Sequence, residues 1–252
     1  MGKQRLDIVL VERGLAETRS KAQALIASGK VYSGEVKLDK AGHPIPEDLP
    51  LTVREAEHPW VSRGGMKLAH AIAHFGLNPE GAACIDVGAS TGGFTDVLLH
   101  HGAAKVYAVD VGHGQLDWKL RQDTRVRVME KTNARYLGRA LIPEPLDWVV
   151  CDASFIGLKT VLPAPLALTG DRATLVALIK PQFEVGKGRV GKGGVVRDEV
   201  LHGEVCADIR AWLGGLPGWR VLGVTESPIQ GPKGNVEFLI AARKDSKGLP
   251  ES

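Results

Sequence analysis

The chain predicts an α/β protein. Its main body reads as a mostly parallel seven-stranded sheet, covered by helices on both faces and closed at one edge by an antiparallel hairpin, with a small α+β module ahead of it. Three observations carry this. An apolar run ending in Asp86 passes through a glycine-rich turn into a helical pattern near Gly93, and a second short run, 106–109, ends in Asp110. Further short apolar runs recur at 125–129, 147–151 and 174–179, with helical patterns among them. The last two runs, 220–225 and 237–242, are joined only by the polar Pro/Gly stretch 226–235, so they pair as a hairpin.

Taken in order, Leu6, Val9 and Leu10 recur at helical spacing, and Gly14 ends that helix. Thr18 caps a second helix with Ala22, Leu25 and Ile26 as its buried stripe and Gly29 past its end. Lys30-Val31-Tyr32, a Ser33-Gly34 turn and Val36-Lys37-Leu38 follow; 42–50 is turn-rich, and Leu51-Thr52-Val53 closes the module. The expected division is an ααββ module over 1–58, a linker over 59–64, a large domain over 65–245 and a frayed polar tail over 246–252. Pro59 holds His58 extended, Trp60 is read as packing between the domains, and a helix runs from about Gly65 to Phe75.

The bulk properties narrow the classes. Of 252 residues, 44% are hydrophobic, enough for a core. A net charge of +3 announces no global field, so any nucleic-acid surface is local. Cys84, Cys151 and Cys206 form no disulfide framework and no Cys-x-x-Cys. Met1 to Leu10 is charged almost at once, unlike a signal peptide, and no stretch approaches the ~20 apolar residues of a spanning helix. The expectation is a soluble, cytoplasmic protein without a membrane partner. His70 and His74 have i, i+4 spacing but no third ligand, so no metal is expected.

The glycine turn has its own chemistry. A dinucleotide fold uses Gly-x-Gly-x-x-Gly to seat a pyrophosphate on a helix N-terminus. Here the order is Asp86-x-Gly88-x-Ser90-x-Gly92, with the acid before the first glycine. A carboxylate there repels a pyrophosphate and suits the ammonium and sulfonium of S-adenosylmethionine. Gly88, Gly92 and Gly93 let the backbone turn and approach a ligand, and Asp110 can take both hydroxyls of a ribose. An ordinary tight turn explains the glycines alone; the register of Asp86 with Asp110 favours the methyl donor.

Asp152 directly follows one strand and Lys180 another, so both point into the crevice beyond the strand ends. Glu237 opens the antiparallel last strand and reaches the same edge, while Lys67 lies on the helix leading into the fold. Two lysines and two carboxylates suit proton abstraction from a sugar hydroxyl, because a partly desolvated lysine beside another cation gives up its proton more readily. Each residue alone is ordinarily a surface charge, and Lys67 and Glu237 do not stand out by spacing.

Two segments could grip phosphate. Residues 181–198 carry many glycines with Lys187, Arg189, Lys192 and Arg197; a solvated flexible linker explains them equally well. Arg19 and Lys21 sit in the first turn of a helix, where exposed cations cost ~0.3–1 kcal/mol each against the dipole. With Arg5, Lys30 and Lys37 they form a candidate RNA-binding face, although eight Lys/Arg against five Asp/Glu over 1–40 also describes a mixed charged surface.

These segments together resemble the TlyA family of ribosomal-RNA 2′-O-methyltransferases, some of whose members are named hemolysins. Arg5-Leu6-Asp7 through Gly29-Lys30-Val31 resembles the small αL RNA-binding module. Val61-Ser62-Arg63-Gly64-Gly65-Met66-Lys67-Leu68, the stretch from Asp86 to Asp96, Asp152-Ala153-Ser154-Phe155-Ile156 and Lys180-Pro181-Gln182-Phe183-Glu184 match the family's signatures. Some members have a basic residue and Trp in the linker, where this chain has His58-Pro59-Trp60-Val61. The large domain is also similar to FtsJ-type enzymes, which implies a Rossmann-like class I methyltransferase fold and places their Lys-Asp-Lys-Glu tetrad on Lys67, Asp152, Lys180 and Glu237. The resemblance implies S-adenosylmethionine bound by Asp86, Gly88, Ser90, Gly92, Gly93, Phe94, Asp110 and Asp152, with cytidine ribose in the ribosomal RNA of a ribosomal subunit as acceptor. Lys180 is then the expected general base. Two rival readings are a pore-forming cytolysin, which liposome leakage would reveal, and a non-catalytic ribosome-assembly factor, which would transfer no methyl group.

Overall fold

The computed structural model describes residues 2–27, 29–53, 58–186, 188–191 and 193–245. The tail expected over 246–252, and the candidate RNA contacts Lys187 and Lys192, lie outside the described residues. Contacts divide the chain into two units, Met1–Pro59 and Trp60–Ser252.

In the small unit, β1 (Lys3–Arg5) leads into α1 (Leu6–Glu12) and α2 (Arg19–Ala27), followed by β2 (Val31–Ser33), β3 (Val36–Lys37), β4 (Pro44–Pro46) and β5 (Thr52–Val53). The helices form because Leu6, Val9, Leu10, Ala22 and Ile26 fall on buried stripes, packed with Val31 and Ile45 in one core. Thr18 Oγ1 accepts from the Lys21 N–H at 3.2 Å, the expected cap. The antiparallel sheet β3-β2-β5 holds the three predicted strands. The ααββ reading is incomplete, however. The turn-rich 42–50 segment contains β4, which pairs antiparallel with β1, Gln4 opposite Ile45. Two prolines hide this strand; they restrict it to a short edge ribbon while Ile45 between them is buried.

In the large unit, α3 (Gly64–Phe75) precedes β6 (Ala83–Val87), α4 (Gly93–His100), β7 (Lys105–Val109), α5 (Trp118–Arg121), β8 (Val126–Met129) and β9 (Leu146–Cys151). Then come α6 (Leu158–Val161), α7 (Pro163–Ala167), β10 (Thr169–Ile179), α8 (Pro181–Glu184), α9 (Glu199–Gly214), β11 (Trp219–Glu226) and β12 (Phe238–Asp245). The seven strands run in the order β11-β12-β10-β9-β6-β7-β8. β12 is antiparallel to both neighbours and the other pairs are parallel, as the missing helix before it predicts. Ile85, Val87, Val149 and Cys151 face one core cluster; Cys84, Val106, Val150 and Trp148 face the other. The sheet is therefore buried on both faces. Helices do not alternate throughout: only a 3-10 turn, Ala134–Tyr136, lies between β8 and β9.

The expected linker 59–64 is partly built into this unit. Trp60 and Val61 pack against its core, and the Trp60 ring lies 5.1 Å from His100. A Cβ on Gly65 would meet the Trp60 ring at about 2.5 Å, so glycine there is what lets the ring lie flat against α3. Sheet order reverses between β6 and β9, and this switch point opens the crevice.

Candidate active site

Asp86 is the last but one residue of β6 and is buried among strands. Its Oδ2 accepts from the Thr95 N–H at 3.0 Å and the Thr95 hydroxyl at 2.7 Å. Its Oδ1 is buried with no hydrogen-bond partner. Burial pushes the carboxyl up to about 7, against the Thr95 hydrogen bonds and with help from Asp152 and Asp110 nearby. An unpaired carboxylate oxygen in such a place calls for a cation. It lines a hollow of ≈ 260 Å³ together with Gly88, Ser90, Gly93, Asp152 and Lys180.

A second hollow of ≈ 430 Å³ adjoins it, sharing Gly88, Ser90, Asp152 and Ser154 and adding Asp110, Asn133 and Phe155. Asp110 is held by the N–H groups of Ser90 at 2.8 Å and Gly112 at 2.6 Å, so its carboxylate is oriented at the tip of β7. Gly88 has φ +84° and a Cβ there would stand 2.9 Å from the Ala153 backbone, so only glycine lets the turn close over β9. Gly93 makes the same kind of close approach to Ser62 and the Gly65 N–H. The residues present fit an adenosyl-bearing cation: an orphaned acid, a side-chain-free turn and an oriented carboxylate lie in sequence along the two hollows. Gly92 lines neither hollow; with φ +96° it turns the chain into α4 beneath Leu116 and Leu120. Phe94 lines the first, but its side chain is buried in the core.

Next to the orphaned acid the four charged candidates meet. Lys67 Nζ lies 2.7 Å from Glu237 Oε2 and 3.6 Å from Asp152 Oδ2. Lys180 Nζ lies 2.6 Å from Asp152 Oδ1, an ion pair, and donates to the Asp152 carbonyl at 3.1 Å and Ser154 Oγ at 2.9 Å. Asp152 thus bridges the two lysines. Lys67, Lys180 and Glu237 are all buried. Glu237 reaches in because Gly231 has no side chain; a Cβ there would collide with its carboxylate. Sequence reasoning misses Ser154 and Gly231 as site residues. Ser154 stands inside a signature segment without a role of its own there, Gly231 falls in the polar Pro/Gly loop, and only the folded crevice gives them partners.

The RNA candidates are less concentrated. Arg5 Nε and Nη2 donate to Asp7 at 3.0 and 2.9 Å, and Arg19 Nε donates to the same carboxylate at 2.9 Å, as does Gln23 at 2.8 Å. Asp7 is fully buried, and the Arg5 guanidinium holds its carboxyl far below the usual range. Lys21 pairs with Glu17 one turn away, and Arg189 with Glu204 on α9. Lys37 is exposed and Lys30 half-buried. Arg19 and Gln23 therefore fasten α2 to α1 through Asp7, which Arg5 braces from the end of β1, and both arginines keep half-exposed heads. Among the described residues no cluster of His, Cys, Asp and Glu could hold a metal ion.

Comparison with known proteins shows the family. The sequence profile of the FtsJ-like methyltransferases matches residues 60–244, and that of the S4 domain matches residues 4–49. The chain is 48% identical over 257 residues to the 16S/23S rRNA (cytidine-2′-O)-methyltransferase TlyA of Mycobacterium tuberculosis, covering 99% of this chain and 96% of the relative. It is 41% identical over 236 residues to Hemolysin A of Brachyspira hyodysenteriae, covering 93% and 98%. A solved structure from Streptococcus thermophilus, of a protein provisionally described as a hemolysin, superposes with a TM-score of 0.73 at 42% identity, covering 97% of this chain and 90% of that one.

Proposed function

Because the chain belongs to the FtsJ-like methyltransferase family, we propose that it moves the methyl group of S-adenosylmethionine to a ribose 2′-hydroxyl of ribosomal RNA, cytidine being the nucleoside named for its mycobacterial relative. The observation that carries this is one crevice in which an orphaned acid, Asp86, adjoins a lysine pair bridged by Asp152.

The bound donor supplies an electrophilic methyl on a positively charged sulfur. Asp86 Oδ1 meets positive charge on the donor, in a place where water does not compete. Gly88 lets the backbone close on it, and Asp110 takes the ribose hydroxyls of the adenosyl end. Lys180 Nζ receives the proton of the acceptor 2′-hydroxyl. Its contacts with Asp152 and Ser154 hold the amine at the wall of the crevice. Asp152 and Glu237 hold Lys180 and Lys67 in place, which fixes the base relative to the donor. The 1–58 module docks the RNA, through Arg5, Arg19, Lys21, Lys30 and Lys37, and the 65–245 domain does the transfer. The work is done in the cytoplasm, on ribosomal subunits.

Some relatives carry the name hemolysin, which would call for a membrane-active segment. No helix among the described residues is long and apolar enough to cross a membrane. The deciding experiment incubates the protein with methyl-labelled donor and isolated ribosomal subunits, then maps the modified nucleosides by mass. Label on a ribose of one defined nucleotide is expected. Donor binding without any transfer to either subunit would overturn the reading.

A further inference from the structure

At the end of the sheet opposite the crevice lies a hollow of ≈ 480 Å³ that the reaction does not use. It is lined by Arg172, Arg220, Arg243, Lys244, Asp147 and Asp245 among others. Arg172 lies near the start of β10, Arg220 near the start of β11 and Arg243 near the end of the antiparallel β12. Lys180 follows the other end of β10, eight residues on, which is about 26 Å of strand.

Register makes this arrangement costly. Arg220 stands directly opposite Arg243, and Thr174 stands on Arg243's other side. Cross-strand partners share a face, so two guanidiniums are set side by side, and like charges in that position destabilise a sheet. Arg172, two residues before Thr174, lies on the same face, opposite Asp245, so the face carries three guanidiniums and one carboxylate. All three arginines are exposed, and none of their side chains makes a hydrogen bond or ion pair among the described residues. Lys244 points to the opposite face and donates to Thr169 Oγ1 at 3.0 Å. Asp147 accepts from the Ala83 N–H at 2.8 Å. The three adjacent strands β11, β12 and β10 spread the guanidiniums over roughly 10 Å, at about 4.8 Å per strand. A single small anion cannot serve all three, whereas successive backbone phosphates can, and the guanidinium fork matches a phosphate bidentately.

We infer that Arg172, Arg220 and Arg243 form a second RNA-backbone contact, binding phosphates of a structured RNA that reaches past the catalytic crevice to the far end of the sheet. This rests on the reading of the protein as an RNA-modifying enzyme. It also gives the like-charged pair a reason: stability of the free protein is exchanged for affinity.

The test uses the full chain carrying Arg172→Gln, Arg220→Gln and Arg243→Gln, with binding of ribosomal RNA measured between 50 and 200 mM salt. Three lost phosphate contacts lower the slope of log affinity against log salt by about two to three, so the drop in affinity across that range shrinks roughly 20- to 40-fold relative to wild type. Donor affinity is expected to stay unchanged. Arg220→Gln alone is expected to bind RNA less well yet melt no lower than wild type, because it removes a repulsion. A wild-type salt slope in the triple variant, or a lower Tm for Arg220→Gln with unchanged RNA binding, overturns the inference. If the wild type binds RNA with the steeper slope but transfers no methyl group, the contact stands and the catalytic reading falls.

Discussion

Replacing Asp86 by asparagine separates the charge of the acid from its shape. Asparagine keeps an oxygen that can accept from Thr95, so the β6 tip and the start of α4 stay joined. The negative charge is lost. A hydrogen bond to a charged group contributes ~1.5–3 kcal/mol, so the dissociation constant for S-adenosylmethionine should rise roughly 10- to 150-fold. The pH dependence of the wild type is a second, independent readout. With the carboxyl at about 7, its ionised fraction falls about tenfold for each pH unit below that, and donor affinity should fall in step.

The stability of the ligand-free protein moves the other way. The carboxyl is raised from 3.8 to about 7, so below about pH 4 it is neutral in both the folded and unfolded chain and costs nothing. Between about 4 and 7 the unfolded chain ionises first and stability declines as pH rises; above about 7 the full penalty, about 4 kcal/mol, is present. Asp86→Asn should therefore bind the donor worse at pH 8 while melting higher than wild type. Calorimetric titration from pH 6 to 8 and thermal melts measure both. A flat wild-type dissociation constant over that range, or undiminished binding by the variant, would refute the idea that Asp86 Oδ1 meets the donor's positive charge.

Lys180→Ala should leave donor affinity near wild type and lower methyl transfer by roughly 10²–10⁴, the usual contribution of a general base; wild-type turnover removes the assignment. Gly88→Ala forces a Cβ to within 2.9 Å of the Ala153 backbone at φ +84°, so it should cost roughly 1–3 kcal/mol and weaken donor binding, and unchanged melts and titrations would contradict the close approach. Asp7→Asn should destabilise the small unit by about 1–3 kcal/mol near neutral pH. Because Arg5 holds the Asp7 carboxyl low, that stability is present above about pH 4 and is lost as pH falls further, so the wild-type melting temperature should drop into acid while the variant's stays flatter.

The strand-turn-helix around Asp86, the strand-end positions of Asp152 and Lys180, and the antiparallel Glu237 strand were all legible, because each depends on local pattern: a short apolar run, a glycine cluster, a missing helix. The β1-β4 ribbon was not, because prolines and turn residues around Ile45 mask a strand whose reason is its partner and its buried side chain. Gly92 and Phe94 show a subtler limit. The motif selects both, yet Gly92 stands in the turn outside the two hollows while Phe94 lines the first with its side chain in the core.

Residue order along the chain determined the α/β class, the position of the glycine turn and the family the chain belongs to, since periodicity and motif spacing are properties of neighbours in sequence. Only the tertiary structure decided that Asp86 keeps one oxygen unpaired, that Asp152 bridges Lys67 and Lys180, that Arg5 and Arg19 share Asp7, and that Arg220 faces Arg243. Those facts depend on which distant segments pack together and in what register, and charge, burial and hydrogen bonding act through space rather than along the chain.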